Sequence, residues 1–393
     1  MKHDTITQTV LFPDLFTKPV VATFDQPHAS SDGGAVLLTA AERRYDLIAS
    51  FARCLVDDRQ SGKVRHTLHD LLAQRVFGLA CGYPDANDAD RLAEDPIQKL
   101  LLGRDPVAGA PLASQPTLSR FENGPGTQAL YQMGRELAAQ VIARHRQRLH
   151  GRARQITIDL DPTDDPTHGA QQLTFFNGHD DSWCYLPLLA FLTFDREVEQ
   201  YVCAAVLRPG NASAMRGTLG VLRRLLARLR VAFPKARFLV RLDGGFATPE
   251  MFDVLDAEAG LDYVVAMADN KVLTRIAEPT MGEARTRSDA CGETAHVDTE
   301  TRYAARTWGR ERRVVIKAEV VRLAGRAPRD NARVVVTNLQ QTPAWSTSRS
   351  TAPAATSKTG SRNSTTGSTS AVRAADGSGP INSACSSRPP RMS

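Results

Sequence analysis

The sequence predicts an α/β protein in which a helical region, about residues 1–150, precedes a mixed sheet with flanking helices over 151–345. Three observations carry that expectation. Apolar residues recur at helical spacing up to about residue 150, short apolar runs alternate with amphipathic stretches from Ile156, and the composition stops being able to build a core after Trp345.

In the first part, His69–Leu79 (HDLLAQRVFGL) places Leu71, Leu72, Val76, Phe77 and Leu79 near one helical face, and Ile97–Leu102 and Gln128–Ala143 repeat the character. Pro, Gly and Asn punctuate between them, as in CGYPDAND and ENGPG. Ser114–Asn123 (SQPTLSRFEN) reads as a turn into a short polar helix. Ser119 and Arg120 on it could belong to a helix-turn-helix reader of DNA, or simply to an interhelical connection.

The second part opens with Ile156–Asp161 (ITIDLD), then two apolar strands, Tyr185–Phe194 and Gln200–Leu207, forming a hairpin across Asp195–Glu199. Thr218–Arg230 is an amphipathic helix with Leu222, Leu225, Leu226 and Leu229 on one side. Strand Phe238–Leu242, helix Pro249–Glu258 and strand Tyr263–Ala268 follow. The order of three strands, helix, strand, helix, strand predicts a mixed sheet whose first three strands pair antiparallel. Residues 295–338 add further strands, as a β-rich insertion at about 285–340 or a small β subdomain.

Length and charge narrow the classes. The chain of 393 residues can bury a sizeable core, and it has no apolar run of about 18 residues, so a transmembrane helix is not expected. The start, MKHDTITQTVLFPD, lacks a secretory layout, and six cysteines are scattered without a C-x-x-C pair. A cytoplasmic, reduced protein is the expectation. The net charge is +6, but residues 346–393 contribute +5 of it, so only local clusters can argue for nucleic acid. One is Arg144–Arg154 (RHRQRLHGRAR), whose Arg144, Arg146, Arg148, Arg152 and Arg154 suit a phosphate backbone or a solvated helix end.

The residues that could do chemistry are acidic and sit at predicted strand ends. One set lies in IDLDPTDDPTHG, with Asp159, Asp161, Asp164 and Asp165; the other is Asp243 in RLDGGF. Carboxylates at strand ends beside Gly or Pro can project into a crevice and hold a hard cation such as Mg²⁺ through oxygen ligands. They are also common turn formers and helix N-caps. A calcium loop fails, because the twelfth position after Asp159 is Ala170 rather than Glu. No G-x-S-x-G motif supports serine catalysis.

Together these residues resemble a bacterial insertion-sequence transposase of the DDE class (transposase DDE domain group 1), with an RNase H-like catalytic core. The likeness covers roughly residues 20–340. It rests on FDQPHASSDGGAVLL, SQPTLSRFEN, IDLDPTDDPTHG with FFNGHDDSWCYLPL, and RLDGGF with YVVAMADN. The resemblance implies binding of double-stranded DNA at terminal inverted repeats, and cutting and joining by Mg²⁺-dependent phosphoryl transfer, with Mn²⁺ as a substitute ion. It puts the first catalytic acid at Asp161, with Asp159 as the alternative, and the second at Asp243. It allows a homodimer and no membrane partner.

The C-terminus departs from that pattern. Such families carry the third carboxylate in Tyr-x-x-Arg-x-x-x-Glu on a helix after the β-rich insertion, and this chain has no Glu after Glu319. Its last 48 residues hold 13 Ser and 7 Thr with no Leu, Phe, Tyr, Trp or Glu, a composition that predicts disorder. A shifted reading frame accounts for both. Taking the free third base of each codon with the next two bases, Ser350/Thr351 onward permits YC(A/P)RGDIENRIKEL, which restores the missing motif at its spacing. The expectation is a transposase by descent, inactive as written. Two other readings remain: a DNA-binding protein without catalysis, and a metal-dependent phosphohydrolase using two carboxylates.

Overall fold

The computed structural model describes residues 30–342 except 168, 170, 180 and 269, together with 10–11, 14–15 and 20–21. The Ser/Thr-rich tail and its expected disorder lie outside the described residues.

The first part is helical, as its periodicity predicts. A two-residue ribbon pairs β1 (Val10–Leu11) with β2 (Val20–Val21), and α1 (Val36–Tyr45), α2 (Leu47–Ala52), α3 (Leu68–Ala80), α4 (Asp88–Leu92), α5 (Pro96–Leu101) and α6 (Gln115–Glu122) follow. Ile48, Leu72, Ala73, Phe77 and Leu101 form one small core, and Leu71, Ala89, Ala113 and Leu118 another. Helix α3 begins in a capping box, with Thr67 accepting from Asp70 N–H and the Asp70 carboxylate accepting from Thr67 N–H. Buried Gln74 clamps the loop before α6: its Nε2 donates to Ala113 O at 2.8 Å and its Oε1 accepts from Ala113 N at 2.9 Å. Asp32, in the Ser-Ser-Asp-Gly-Gly turn, accepts from Tyr83 Oη at 3.1 Å and Gln98 Nε2 at 3.2 Å. That acid ties three segments of the helical part together.

Helix α7 (Thr127–Arg148) runs about 33 Å, longer than the expected 128–143, and joins the two parts. Met133 packs on the helical core, while Ala138 and Ile142 belong to the core of the sheet. Near its end His145 is 3% exposed and lies on Phe194 with ring centroids 4.4 Å apart.

Eight strands form the main sheet: β3 (Gln155–Pro162), β7 (Leu188–Phe194), β8 (Tyr201–Val206), β9 (Arg237–Leu242), β10 (Leu261–Ala266), β11 (Ala295–Tyr303), β12 (Arg312–Val321) and β13 (Arg329–Thr337). Their order is β11-β12-β13-β10-β9-β3-β7-β8. Strands β3, β9 and β10 are parallel, and β7 and β8 continue antiparallel from β3. The β8-β7-β3-β9-β10 portion is an RNase H-like sheet, as expected. Between β3 and β7 a small sheet projects, made of β4 (Asp165–Pro166), β5 (Phe175–Asn177) and β6 (Ser182–Tyr185).

The single strand expected at 185–194 is therefore two. Pro187 has no N–H to donate to a ladder, and β6 ends before it while β7 begins after it. The strands expected at 295–338 do not make a separate subdomain: β13 pairs antiparallel with β10 and carries β12 and β11 as a continuation of the main sheet. The β-rich stretch expected from about 285 begins at Ala295, because α10 (Lys271–Cys291) occupies its first residues. The junction is bonded through side chains as well. Asn338 accepts from Tyr263 N at 2.9 Å and donates to Leu261 O at 2.8 Å. Asp256 on α9 (Pro249–Ala257) accepts from Tyr263 Oη and Arg312 Nε. Burial opposes the charge on Asp256, yet hydrogen bonds from Arg310, Tyr263 and Arg312 hold its carboxyl below the usual range.

Strand alternation gives the sheet two unlike faces. Ile156, Ile158, Leu160, Phe238, Val240, Leu242 and Val265 face α7, α8 (Thr218–Ala232), α9 and the first half of α10, whose Leu222, Leu226, Met251, Phe252 and Leu273 complete this core. The opposite face centres on Leu239, Val264, Val315, Val335 and Leu339, a cluster to which no helix among the described residues contributes.

Burial, and after it the Arg148 charge, pushes the His145 imidazole down to about 4. The unfolded chain, with His near 6.5, therefore binds the extra proton first. Stability is fully present above about pH 6.5 and falls as pH drops towards 4, by up to about 3 kcal/mol. Urea midpoints of wild type and His145→Gln across that window check this: the variant is less stable at pH 7 but loses its share of the acid sensitivity.

Candidate active site

Three of the acidic residues singled out in the sequence lie on the helix-free face or at its edge. In β3 the residues Thr157, Asp159 and Asp161 point the same way, and in β9 so do Leu239 and Arg241, with Asp243 directly after the strand. The parallel register sets Asp159 opposite Arg241 and Leu160 opposite Leu242. Asp161 and Asp243 are the next residues beyond that register, Asp161 still within β3 and Asp243 directly after β9.

Asp159 and Asp161 have different surroundings. Asp159 is 5% exposed and bound in a fork: Arg241 Nε reaches Oδ1 and Nη2 reaches Oδ2, each at 2.6 Å. Gln200 Nε2 adds a hydrogen bond to Oδ2 at 3.2 Å. Asp161 is half-buried, at the mouth of the strand pair. Stripping one partner from a buried ion pair such as Asp159–Arg241 costs about 3–5 kcal/mol, so Asp159 is committed to the fold.

Asp243 is exposed, and its Oδ1 accepts from Gly245 N at 2.8 Å, capping the single turn Gly244–Phe246. The two glycines have distinct reasons. A Cβ on Gly244 would come within 3.1 Å of Ala268 N, where the chain leaves β10, and one on Gly245 within 3.1 Å of Asp243 Oδ1. A side chain at either position would displace the acid or the loop beside it. Phe246, fully buried, then anchors the turn in the core.

Asp164 and Asp165 do not join the pair at a strand end. They lead into the projecting small sheet, where Asp165 pairs in register with Tyr185. That sheet carries Phe176 and Trp183 half or more exposed, their rings edge to face at 6.2 Å. The sequence reading missed this aromatic edge and also Arg241. The signal for Arg241 was available, since a lone Arg inside the apolar run RFLVRL sits at the same strand position as Asp159 in QITIDLD.

The basic cluster lies elsewhere. Arg154 precedes β3 and Asp161 comes seven residues later, so the two ends of the strand are roughly 23 Å apart. Within the cluster Arg144 lies 3.8 Å from the Tyr45 ring centroid and donates to its hydroxyl at 2.7 Å, while Arg148 pairs with Glu197 at 2.7 Å. Arg146, Arg152 and Arg154 are exposed, as is Arg120 on α6; Ser119 is half-buried, and its carbonyl accepts from Asn123. His145, read with the cluster in the sequence, belongs to the core. His66 bonds to Arg104 at 3.0 Å.

Two carboxylates at adjacent strand ends suit one hard divalent cation. Among the described residues no group of three Asp, Glu, His or Cys side chains is placed to hold a metal ion. No helix among the described residues is long and apolar enough to cross a membrane.

No curated protein matches the chain. The family model described as transposase DDE domain group 1 matches residues 12–350, which takes in both carboxylate strands, the projecting sheet and β11–β13. A match over that much of the sequence, on a sheet of RNase H-like order, makes the chain a member of the transposase DDE domain group 1 family.

Proposed function

We propose that this chain descends from the DNA transposase of a mobile insertion element, and that in its present form it does not catalyse transposition. The ancestral activity is binding of terminal inverted repeats, then cutting and joining of DNA by Mg²⁺-dependent phosphoryl transfer. The observation that carries the reading is the β3–β9 register, which ends with Leu160 opposite Leu242 so that Asp161 and Asp243 follow directly on the two chains.

Asp161 and Asp243 would hold the metal, and Asp159, enclosed by Arg241 and Gln200, would not touch it. Bound divalent ions at such a site activate an attacking hydroxyl and stabilise the leaving oxygen. The chain's own contribution is orientation. The Gly245 N–H fixes one oxygen of Asp243, and the β3–β9 ladder fixes the height of Asp161 beside it. Contact with the DNA backbone falls to Arg146, Arg152 and Arg154, with Ser119 and Arg120 on α6 as a second contact region. Site of action in the cytoplasm and assembly as a homodimer belong to the same proposal.

The missing third acid is best explained by a shifted reading frame. The family match ends at residue 350, next to the composition break, and the shifted reading starts at Ser350/Thr351. A second reading, a DNA-binding protein that occupies element ends without cutting them, draws on the lack of a three-acid cluster among the described residues.

Calorimetric titration with Mn²⁺ checks the metal site. Binding to wild type that Asp243→Ala abolishes is expected, and unchanged binding in that variant would refute the assignment. For DNA, replacing Arg146, Arg152 and Arg154 together by Gln should flatten the slope of log K against log salt by about 1–3, since each neutralised phosphate contributes roughly 0.9. Variants with wild-type slopes would remove those arginines from the interface. For catalysis, a chain carrying the other frame after about residue 345 should cleave element-end DNA with Mg²⁺, and the present chain should not. Cleavage by the present chain that depends on Asp161 and Asp243 would show that the third ligand has another source.

A further inference from the structure

We propose that the groove between α7 and α8 is a docking surface for the phosphate backbone of duplex DNA, gripped by Arg135 and Arg146 of α7 and Arg224 and Arg228 of α8. The proposal deepens the DNA-binding reading given above and rests on it.

The two helices lie side by side over the core of the sheet and run the same way. Arg224 stands by Tyr131, Arg228 by Arg135, and Ala232 by Gly151 just beyond α7. Between them is a groove of about 800 Å³, with Arg146, His150 and Arg228 over a floor of Ala139, Ile142 and Ala143. No Asp or Glu is among its described lining residues. On α7, Tyr131, Arg135, Ala139, Ile142 and Arg146 recur at helical spacing, so they form one stripe along the groove. From Tyr131 to Arg146 the stripe is about 22 Å long, the length of roughly six or seven base pairs.

Other arginines of the same helices have acids. Arg148 pairs with Glu197 and Arg230 with Glu258, while Arg223 lines a separate hollow with Glu250, Asp253 and Glu258. Among the described residues no acid forms an ion pair with Arg135, Arg146, Arg224 or Arg228. What holds the groove arginines is neutral. Arg228 Nη1 donates to Arg135 O at 2.7 Å, and Arg135 Nη1 to Gln132 Oε1 at 3.2 Å. The guanidinium carbons of Arg135 and Arg224 lie 6.0 and 5.7 Å from the centroid of the exposed Tyr131 ring, so one ring gathers cations from two helices. Cations held on one ring repel each other, and an anion beside them offsets that repulsion. A DNA backbone supplies a row of such anions, with oxygens that match the guanidinium fork. The groove is on the helix side of the sheet and Asp161 and Asp243 are not, so a duplex seated here is gripped away from the acid pair.

The test reads duplex binding of the full chain by fluorescence anisotropy across a salt series, with folding checked by circular dichroism. Arg135→Gln, Arg224→Gln and Arg228→Gln together should flatten the slope of log K against log salt by at least about 1. The change should reach about 3 where each arginine meets one phosphate, since each contact contributes roughly 0.9. Lys at the same three positions keeps the charges and should retain the wild-type slope, a result that lost packing alone does not give. Arg223→Gln, on the acid-lined side of α8, should retain it too. A folded Gln variant whose slope changes by less than about 1 overturns the proposal, as does a Lys variant or an Arg223→Gln variant as shallow as the triple Gln variant. If the triple Gln variant does not fold, Arg135→Gln and Arg224→Gln, both at exposed positions, decide singly. A loss of about 1 in each supports the proposal, and a wild-type slope in either overturns it. A wild-type chain that binds no duplex ends the DNA-binding reading and this proposal with it, whereas wild-type binding with an unresponsive Gln variant ends this proposal only.

Discussion

The parallel pairing of β3 with β9 is the contact on which the rest of the chain is arranged. It joins a strand from the start of the domain to one some eighty residues later, and its register is held by main-chain bonds and by the buried fork between Asp159 and Arg241. A slip by one residue would turn Ile158 and Leu160 outward and bury Asp161, so the apolar faces of both strands oppose it. The same register that keeps the core closed ends at Leu160 and Leu242, with Asp161 and Asp243 following directly on the two chains. Stability and site geometry are thus consequences of one alignment.

Around that pair the sheet is asymmetric. Helices α7 to α10 cover one face and complete a large apolar core with it. The acids and their arginine lie on the other face, whose apolar cluster gains no helical residue among the described ones. Such an arrangement separates the two demands placed on the sheet. The helix-covered face packs at interior density, and on the other face Leu239, Val264, Val315 and Val335 are buried too, so only its edge at Asp161 and Asp243 reaches solvent. Strands β11–β13 extend this plan beyond β10, locked on by Asn338 and by the cluster of Asp256, Tyr263 and Arg312.

The helical part is held by a different means. Its apolar clusters are small, and single polar side chains do much of the joining: Gln74 at the loop before α6, Asp32 between Tyr83 and Gln98, Arg144 on Tyr45. Membership of the transposase DDE domain group 1 family fits this division into a polar-bonded helical region and a rigid sheet, although the arginines nearest the boundary serve two ends. Arg148 ties the end of α7 to the sheet part through Glu197, Arg144 stays within the helical part on Tyr45, and Arg146, Arg152 and Arg154 face solvent.

The sequence by itself determined a helical stretch ahead of a mixed sheet, the order of the main-sheet strands and helices from Ile156 to Ala268 but not the small sheet between β3 and β7, and the candidacy of Asp161 and Asp243, because periodicity, turn residues and acids beside Gly or Pro are local signals. It also marked the break after Trp345, which is compositional. Tertiary structure alone decided that Asp159 is a buried partner of Arg241 in the fold while Asp161 sits at the mouth of the strand pair, since two acids two residues apart on one strand look alike until the neighbouring strand is in register. It decided that His145 belongs to the core, because Phe194 reaches it from a strand about fifty residues away. It likewise decided that β11–β13 continue the main sheet, an outcome set by the free edge of β10 and invisible in the alternation of any one strand.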